Sequence, residues 1–309
     1  MRLELSDINA RLNSDPAGYV AECDALYQRR VEEAAAVVAD RLHQSKVVLL
    51  AGPSSSGKTT TAGRVRDALL ARGIFAHMVS LDDYYRPRFD PDFPTTRRGD
   101  PDLEAPEALD LDLLSQHLEL LDRGSEILIP HFDFRRQVQS PTDFQPLRLQ
   151  ENEVVIFEGI HGLNPMLTQR KPEATRIFIS TASSVYEDDV EIFDRVWMRL
   201  LRRIVRDFNF RSSTAEETLG MWRNVRRGEK VYISPYKKDS HYAIDTTHGY
   251  EVAAFRPIAE PMLLELEKHP QPKLVDLVLE GLEAFTPIDP MQLPETSLLR
   301  QEFLPKGQG

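Results

Sequence analysis

The stretch that decides the fold is Lys46-Val-Val-Leu-Leu-Ala-Gly52-Pro-Ser-Ser-Ser-Gly57-Lys58-Thr59-Thr60. Its first part, Lys46 to Ala51, is a short β-branched and leucine run that ends at Gly52, the pattern of a buried parallel strand. Gly52 to Thr59 then fits the phosphate-binding pattern G-x-x-x-x-G-K-[ST] at every position. Thr59 to Arg72 reads as a helix with Ala62, Val65, Ala68 and Leu69 turned inward, and Gly73 as its C-terminal stop. Strand, small-residue loop and helix in that order make an anion cradle. Gly52, Pro53, Ser54, Ser55, Ser56 and Gly57 are small, so backbone N–H groups can curl around phosphates, and the helix start adds partial positive charge. Lys58 reaches the β- and γ-phosphates, the Thr59 hydroxyl ligates Mg2+, and Thr60 continues the cradle into the helix. The expectation is a nucleoside triphosphate, read as ATP, bound with Mg2+.

Outward from this unit, strands alternate with helices. Residues 16 to 43 read as a helix, with Asp15 as cap and Pro16 at its first position. Val20, Leu26, Val31, Ala34, Ala35, Val38 and Leu42 give it an apolar stripe for packing on the main domain. Ile74 to Leu81, Glu126 to Ile129, Glu153 to Phe157 and Arg176 to Ser180 read as further strands. Residues 106 to 123, 188 to 228 and 250 to 285 read as helical. Such alternation predicts an α/β fold: a P-loop NTPase with a parallel sheet of about five strands flanked by helices. The expected organisation is an N-terminal helical segment (1–45), a P-loop domain (46–285) and an irregular, proline-rich tail (286–309). Within the domain, 84–150 is a substrate-binding insertion and 190–230 a lid region around an arginine-rich helix. The stretch from Tyr84 to Pro106 is long for a connection, which points to function.

Acids close two strands. Ser80-Leu81-Asp82-Asp83-Tyr84-Tyr85 ends the second strand, where doubly wound sheets meet their ligands. An aspartate there can take the proton of an attacking hydroxyl and hold it in line with the γ-phosphate; the alternative is a cap or turn carboxylate. Glu158 ends the run Val154-Val-Ile-Phe-Glu158, a position from which a carboxylate holds magnesium directly or through water. No D-x-x-G element follows the phosphate loop and no N-K-x-D occurs, so the elements of a GTPase are not found.

Arg195, Arg199, Arg202 and Arg206 fall on one face of a helix, with Val196, Leu200, Ile204 and Phe208 opposite. Arg203 and Arg211 join the cluster, and Asp194 and Asp207 are available as partners. A lid of arginines would neutralise a transferring phosphoryl group and exclude water; a solvated charged face is the alternative. Arg226, Arg227 and Lys230 read as solvated surface.

The net charge of −11 disfavours broad nucleic-acid binding through those arginines. Met1 to Asn13 lacks the apolar stretch of a signal peptide, and no window is long and apolar enough to span a bilayer, so no membrane is expected. The one cysteine, Cys23, excludes an internal disulfide and suits a reducing cytoplasm.

AGPSSSGKTT, SLDDYY, PDLEAPEALD, IPHFDF, VVIFEGIHGLNP and RLLRRIVRDFNFR, in that order over roughly residues 46 to 250, resemble the uridine kinase and phosphoribulokinase family of P-loop kinases. EGIHGLNP and the terminal Ser297-Leu-Leu-Arg-Gln-Glu-Phe303 resemble its bacterial uridine-kinase-like branch. The resemblance implies Asp82 as general base, with Tyr85 in the same block at the acceptor. It implies Glu104 on ribose hydroxyls, Phe132 against a nucleoside base, and Glu158 as the magnesium-side carboxylate. Arg203 would touch acceptor and phosphate, while Arg206 and Arg211 would sit on the triphosphate. It also implies that homo-oligomers occur. The sequence departs from uridine–cytidine kinases where these have a tyrosine (here Phe132), a base-reading histidine (near Gln137) and an arginine (near Ser213). The expected activity is transfer of the γ-phosphoryl group of ATP to the 5′-hydroxyl of a uridine- or cytidine-like nucleoside. A kinase for a sugar phosphate or vitamin-like alcohol is the alternative, with Arg86, Arg88, Arg97, Arg98, Arg135 and Arg136 available for a phosphorylated acceptor. A nucleotide-dependent switch or assembly ATPase is the alternative from another class.

Overall fold

The computed structural model describes residues 2–266 and 271–305. Residues 267–270, inside the helical span expected over 250–285, and 306–309 of the expected tail lie outside the described residues. The chain opens with β1 (Arg2–Glu4) and α1 (Leu5–Ser14), whose Leu5, Ile8 and Leu12 fall on one buried face. Then comes α2 (Pro16–Arg41), where the Asp15 carboxylate accepts the Gly18 N–H at 2.9 Å, the cap its sequence predicts. The Tyr27 hydroxyl bonds to the Thr61 hydroxyl at 2.8 Å and ties α2 to the phosphate-loop helix.

β2 (Val47–Ala51), α3 (Lys58–Leu70) and β3 (Phe75–Ser80) follow as the sequence predicts. α4 (Leu111–Asp122) starts later than expected, because the Asp110 carboxylate caps Leu113 N–H at 3.0 Å and Pro106–Ala108 form only a separate turn. β4 (Ile127–Asp133) and β5 (Val138–Leu147) make an antiparallel hairpin. β5 is mostly exposed and carries two prolines, so its sequence lacks a strand signature. β6 (Glu153–Gly159), the short α5 (Pro165–Thr168) and β7 (Thr175–Ser180) come next. β8 (Ser184–Glu187) precedes the span expected to be helical from residue 188, and β9 (Val190–Phe193) occupies its start; with β1 they form a small sheet. α6 (Arg195–Arg211) and α7 (Ala215–Gly228) follow, then β10 (Tyr242–Asp245), which is too short to announce itself. α8 (Glu251–Leu264) and α9 (Pro272–Glu283) complete the helical layer. The expected irregular tail contains α10 (Leu298–Glu302), with Leu298, Leu299 and Phe303 fully buried.

The main sheet has five parallel strands in the order β10-β7-β2-β6-β3. β2 lies at its centre and is buried on both faces, as its continuous apolar run requires. Val48 and Leu50 face one apolar cluster, with α2, α3, α6 and α8; Val47, Leu49 and Ala51 face the other, with α4 and the β4–β5 hairpin. The strand ends carrying Gly52, Leu81 and Glu158 therefore converge on one edge. No helix among the described residues is long and apolar enough to cross a membrane.

Candidate active site

The phosphate loop has the backbone that its glycines permit. A Cβ on Gly52 would stand 2.1 Å from the Ile179 carbonyl oxygen of the neighbouring strand, so only glycine fits. Gly57 takes φ +84° as it enters α3. Ser56 N–H bonds to the Pro53 carbonyl at 3.2 Å, and the Thr246 hydroxyl donates to the Ser56 carbonyl at 2.8 Å. Lys58 folds back so that Nζ donates to the Pro53 carbonyl at 3.2 Å. Burial lowers its pKa, while the carboxylates of Glu158, Asp82 and Glu302 work the other way. The Thr59 hydroxyl donates to Glu158 Oε1 at 3.1 Å, joining the loop to the end of β6. Burial raises the Glu158 carboxyl, with Lys58 opposing.

The two aspartates after β3 part ways. Asp83 Oδ1 accepts the Phe132 N–H at 3.1 Å and lies 3.4 Å from His131 Nδ1, so it anchors β4. Asp82 faces the loop instead. Burial raises its carboxyl, and the nearby Lys58 ammonium opposes that rise. Asp82 lines a 580 Å³ cavity together with Tyr85, Phe93, Phe132, Gln137 and Arg211. Phe132 is buried there, tilted against Tyr85 at 5.8 Å between ring centroids and edge-on to Phe134 at 5.1 Å. Glu104 does not line this cavity, although its neighbour Leu103 does; it packs against Gly228, whose Cβ, if present, would stand 2.4 Å from Glu104 Cβ. Burial pushes its carboxyl up to about 7, with Arg203 as the main opposing charge.

Arg195, at the start of α6, is exposed, and the other five arginines divide into three groups. Arg203 donates to the Ser54 hydroxyl at 2.8 Å, and Arg199 donates to the Ser54 carbonyl at 3.1 Å while pairing with Glu229 at 2.7 Å. Arg206 bonds to Asp207 at 2.7 Å, and Arg211 lies 3.5 Å from that carboxylate at the cavity edge. Arg202 departs from the phosphate-facing expectation: it has no exposed surface and grips Glu251 through two hydrogen bonds, 3.0 and 2.7 Å. The expected apolar face of α6 is also interrupted, since Phe208 is 54% exposed. Asp194 caps Val196 N–H rather than pairing with an arginine. Arg226 and Arg227, read as solvated surface, instead pair with the buried Glu229 and Asp102. Asp207 meets Arg203, Arg206 and Arg211 as its place in the sequence allows, whereas sequence reading missed the roles of Asp102, Glu229 and Glu302. Of these Glu229 has one near partner, Arg226, and one distant partner, Arg199, while Asp102 meets Arg227 from far along the chain.

Residues 47–253 match the Phosphoribulokinase / Uridine kinase family. A uridine kinase of Staphylococcus epidermidis is 27% identical over 213 residues, 69% of this chain and 93% of that protein. A uridine kinase of Deinococcus deserti is 28% identical over 193 residues, 62% of this chain and 83% of that protein. A candidate fructose transport system kinase from Silicibacter sp. TM1040, solved by crystallography, aligns with a TM-score of 0.50 at 20% identity, covering 66% of this chain and 95% of that one, a likeness of fold alone. Kinases of this family take their phosphoryl group from ATP. With a phosphate loop, an acid at the end of β3 and a family match over two thirds of its length, the chain belongs to the phosphoribulokinase / uridine kinase family and is a phosphotransferase with a hydroxyl acceptor.

Proposed function

We propose that the protein transfers the γ-phosphoryl group of ATP to the 5′-hydroxyl of a uridine- or cytidine-like nucleoside. The observation that carries this reading is the shared cavity: the acid Asp82, the aromatic pair Tyr85 and Phe132, and the amide of Gln137 all line one space. A pyrimidine ring fits between apolar faces, and a side-chain amide offers a donor and an acceptor to its polar edge. Curated relatives named uridine kinase support the same class of acceptor.

In this mechanism Asp82 accepts the proton of the 5′-hydroxyl as its oxygen attacks. The elevated pKa of Asp82 makes it a stronger base than an ordinary aspartate. Lys58 and backbone N–H groups between Ser54 and Thr60 hold the phosphates, and Arg203, Arg206 and Arg211 offset charge on the transferring group. Glu104 accepts hydrogen bonds from ribose hydroxyls. Thr59 and Glu158 present adjacent hard oxygen donors that fit Mg2+. Among the described residues no cage of three or more metal-ligating acids, histidines or cysteines occurs, which suits an ion carried chiefly by phosphates and water. Bound there, Mg2+ would neutralise charge building on the phosphoryl oxygens.

A phosphorylated acceptor is the second reading, because Arg86 and Arg88 line the same cavity. Arg86 is already taken up by Asp90, through two hydrogen bonds of 3.1 and 2.8 Å, which weakens it. The deciding assay is ADP release from ATP and Mg2+ across nucleosides, sugar phosphates and small alcohols. Uridine or cytidine should stimulate release. Stimulation by a sugar phosphate alone would move the assignment to the second reading, and silence across the panel would overturn both.

A further inference from the structure

The C-terminal segment meets the phosphate loop at a point the transfer chemistry does not use. Ser297 to Leu304 lies over the start of α3, with Leu298, Leu299, Phe303 and Leu304 buried. Leu298 methyl groups stand 3.2 and 3.3 Å from where a Cβ on Gly57 would be. Arg64 of α3 donates to the Thr296 carbonyl and, at 3.0 Å, to the Gln301 side chain. Asn209 of α6 donates to the Phe303 carbonyl at 2.9 Å. Held in this way, the segment delivers the Glu302 carboxylate to the first turn of α3. There Glu302 Oε2 accepts the Thr60 N–H at 3.4 Å and also the Thr60 hydroxyl.

The first N–H groups of a helix have no partner inside it, and at a phosphate loop they are the donors a nucleotide takes. Thr61 N–H already bonds to the Gly57 carbonyl at 2.9 Å, so Thr60 is the last open donor of the turn. Two anions therefore want one donor. The charge of Glu302 also reaches Lys58, which already has Glu158 and Asp82 as acidic neighbours. Glu302 thus adds a third carboxylate to the neighbourhood of Lys58, where a polyanion must bind. Leu298, Phe303 and the Asn209 contact hold the rest of the segment, so release of the carboxylate loosens the segment without expelling it.

We propose that Glu302 belongs to the nucleotide site as a built-in competitor for phosphate, lowering nucleotide affinity until its carboxylate gives up Thr60. The proposal rests on the nucleotide-binding reading of the phosphate loop. It is tested by calorimetric titration of ADP, without acceptor, into the full-length protein and its Glu302→Gln variant. The amide keeps the size of the side chain and removes its charge. ADP should bind the variant about tenfold more tightly. In the unsubstituted protein, saturating ADP should speed amide hydrogen exchange over residues 297–304. Equal or weaker binding by the variant, or slower exchange, overturns the proposal and makes Glu302 a positioning residue for Thr60. If neither protein binds ADP, the nucleotide reading itself fails. If the variant folds poorly, exchange in the unsubstituted protein decides the question.

Discussion

Replacing Arg202 with methionine tests whether the arginine face of α6 serves catalysis or architecture. Arg202 and Glu251 have no exposed side-chain surface. The guanidinium makes four hydrogen bonds: two to Glu251, one of 3.1 Å to the Thr246 hydroxyl and one of 2.7 Å to the Thr246 carbonyl. Its removal strands a carboxylate in the core, a defect worth about 3–5 kcal/mol. In a chain of this size that lowers Tm by roughly 5–8 °C. A second substitution, Glu251→Leu, removes the stranded charge, but it orphans the His248 N–H that Glu251 accepts at 3.0 Å, at about 1–2 kcal/mol. The double variant should therefore recover part of the loss, about 2 kcal/mol. Thermal and denaturant unfolding of the three proteins read this directly. A single variant that keeps its stability while losing turnover would refute the architectural assignment and return Arg202 to the phosphate. A double variant less stable than Arg202→Met would refute the stranded-charge argument.

Asp82→Asn should leave ATP binding nearly intact and cut kcat by about 10²–10⁴; Asp83→Asn should instead raise the acceptor KM by loosening Phe132, and the reverse pattern in steady-state kinetics would exchange the two roles. Glu104 carries a carboxyl pushed up to about 7, and only its ionised form accepts two ribose hydroxyls well. Ionisation grows as pH rises through that value, so the acceptor KM should fall between about pH 6 and pH 8, and Glu104→Gln should flatten the profile. Gly228→Ala places a methyl 2.4 Å from Glu104 Cβ. It should raise the acceptor KM several-fold while calorimetric affinity for ADP stays unchanged; a parallel loss of ADP affinity would show that the strain reaches the phosphate loop.

The phosphate loop was legible because all its determinants are local: an apolar run, glycines at fixed positions and a helix behind them. The same holds for the Asp15 cap and for the run ending at Glu158. What stayed hidden depends on partners far along the chain. Four short strands, β1, β8, β9 and β10, span only three or four residues each, too few for periodicity to show. The spacing of the arginines placed several on one face of α6, yet it could not show that Glu251 waits for Arg202 inside the core while Ser54 takes Arg203. Asp82 and Asp83 are neighbours of identical chemistry, and only the hairpin at Phe132 tells them apart. The tail looked irregular between its prolines because its order comes from burial against α3 rather than from a repeating pattern.

The position of β2 has a consequence for the birth of the molecule. Val48 pairs with Ile156 on one side and Thr175 on the other, so neither neighbour has been translated when the strand leaves the ribosome. At ordinary synthesis rates the first of them arrives roughly 5–20 s later. Throughout that interval the nascent chain displays Val47-Val-Leu-Leu-Ala51 as an unpaired apolar ribbon. A chain stalled before residue 153 should therefore be held by chaperones, unable to retain nucleotide even though its phosphate loop is already complete in sequence.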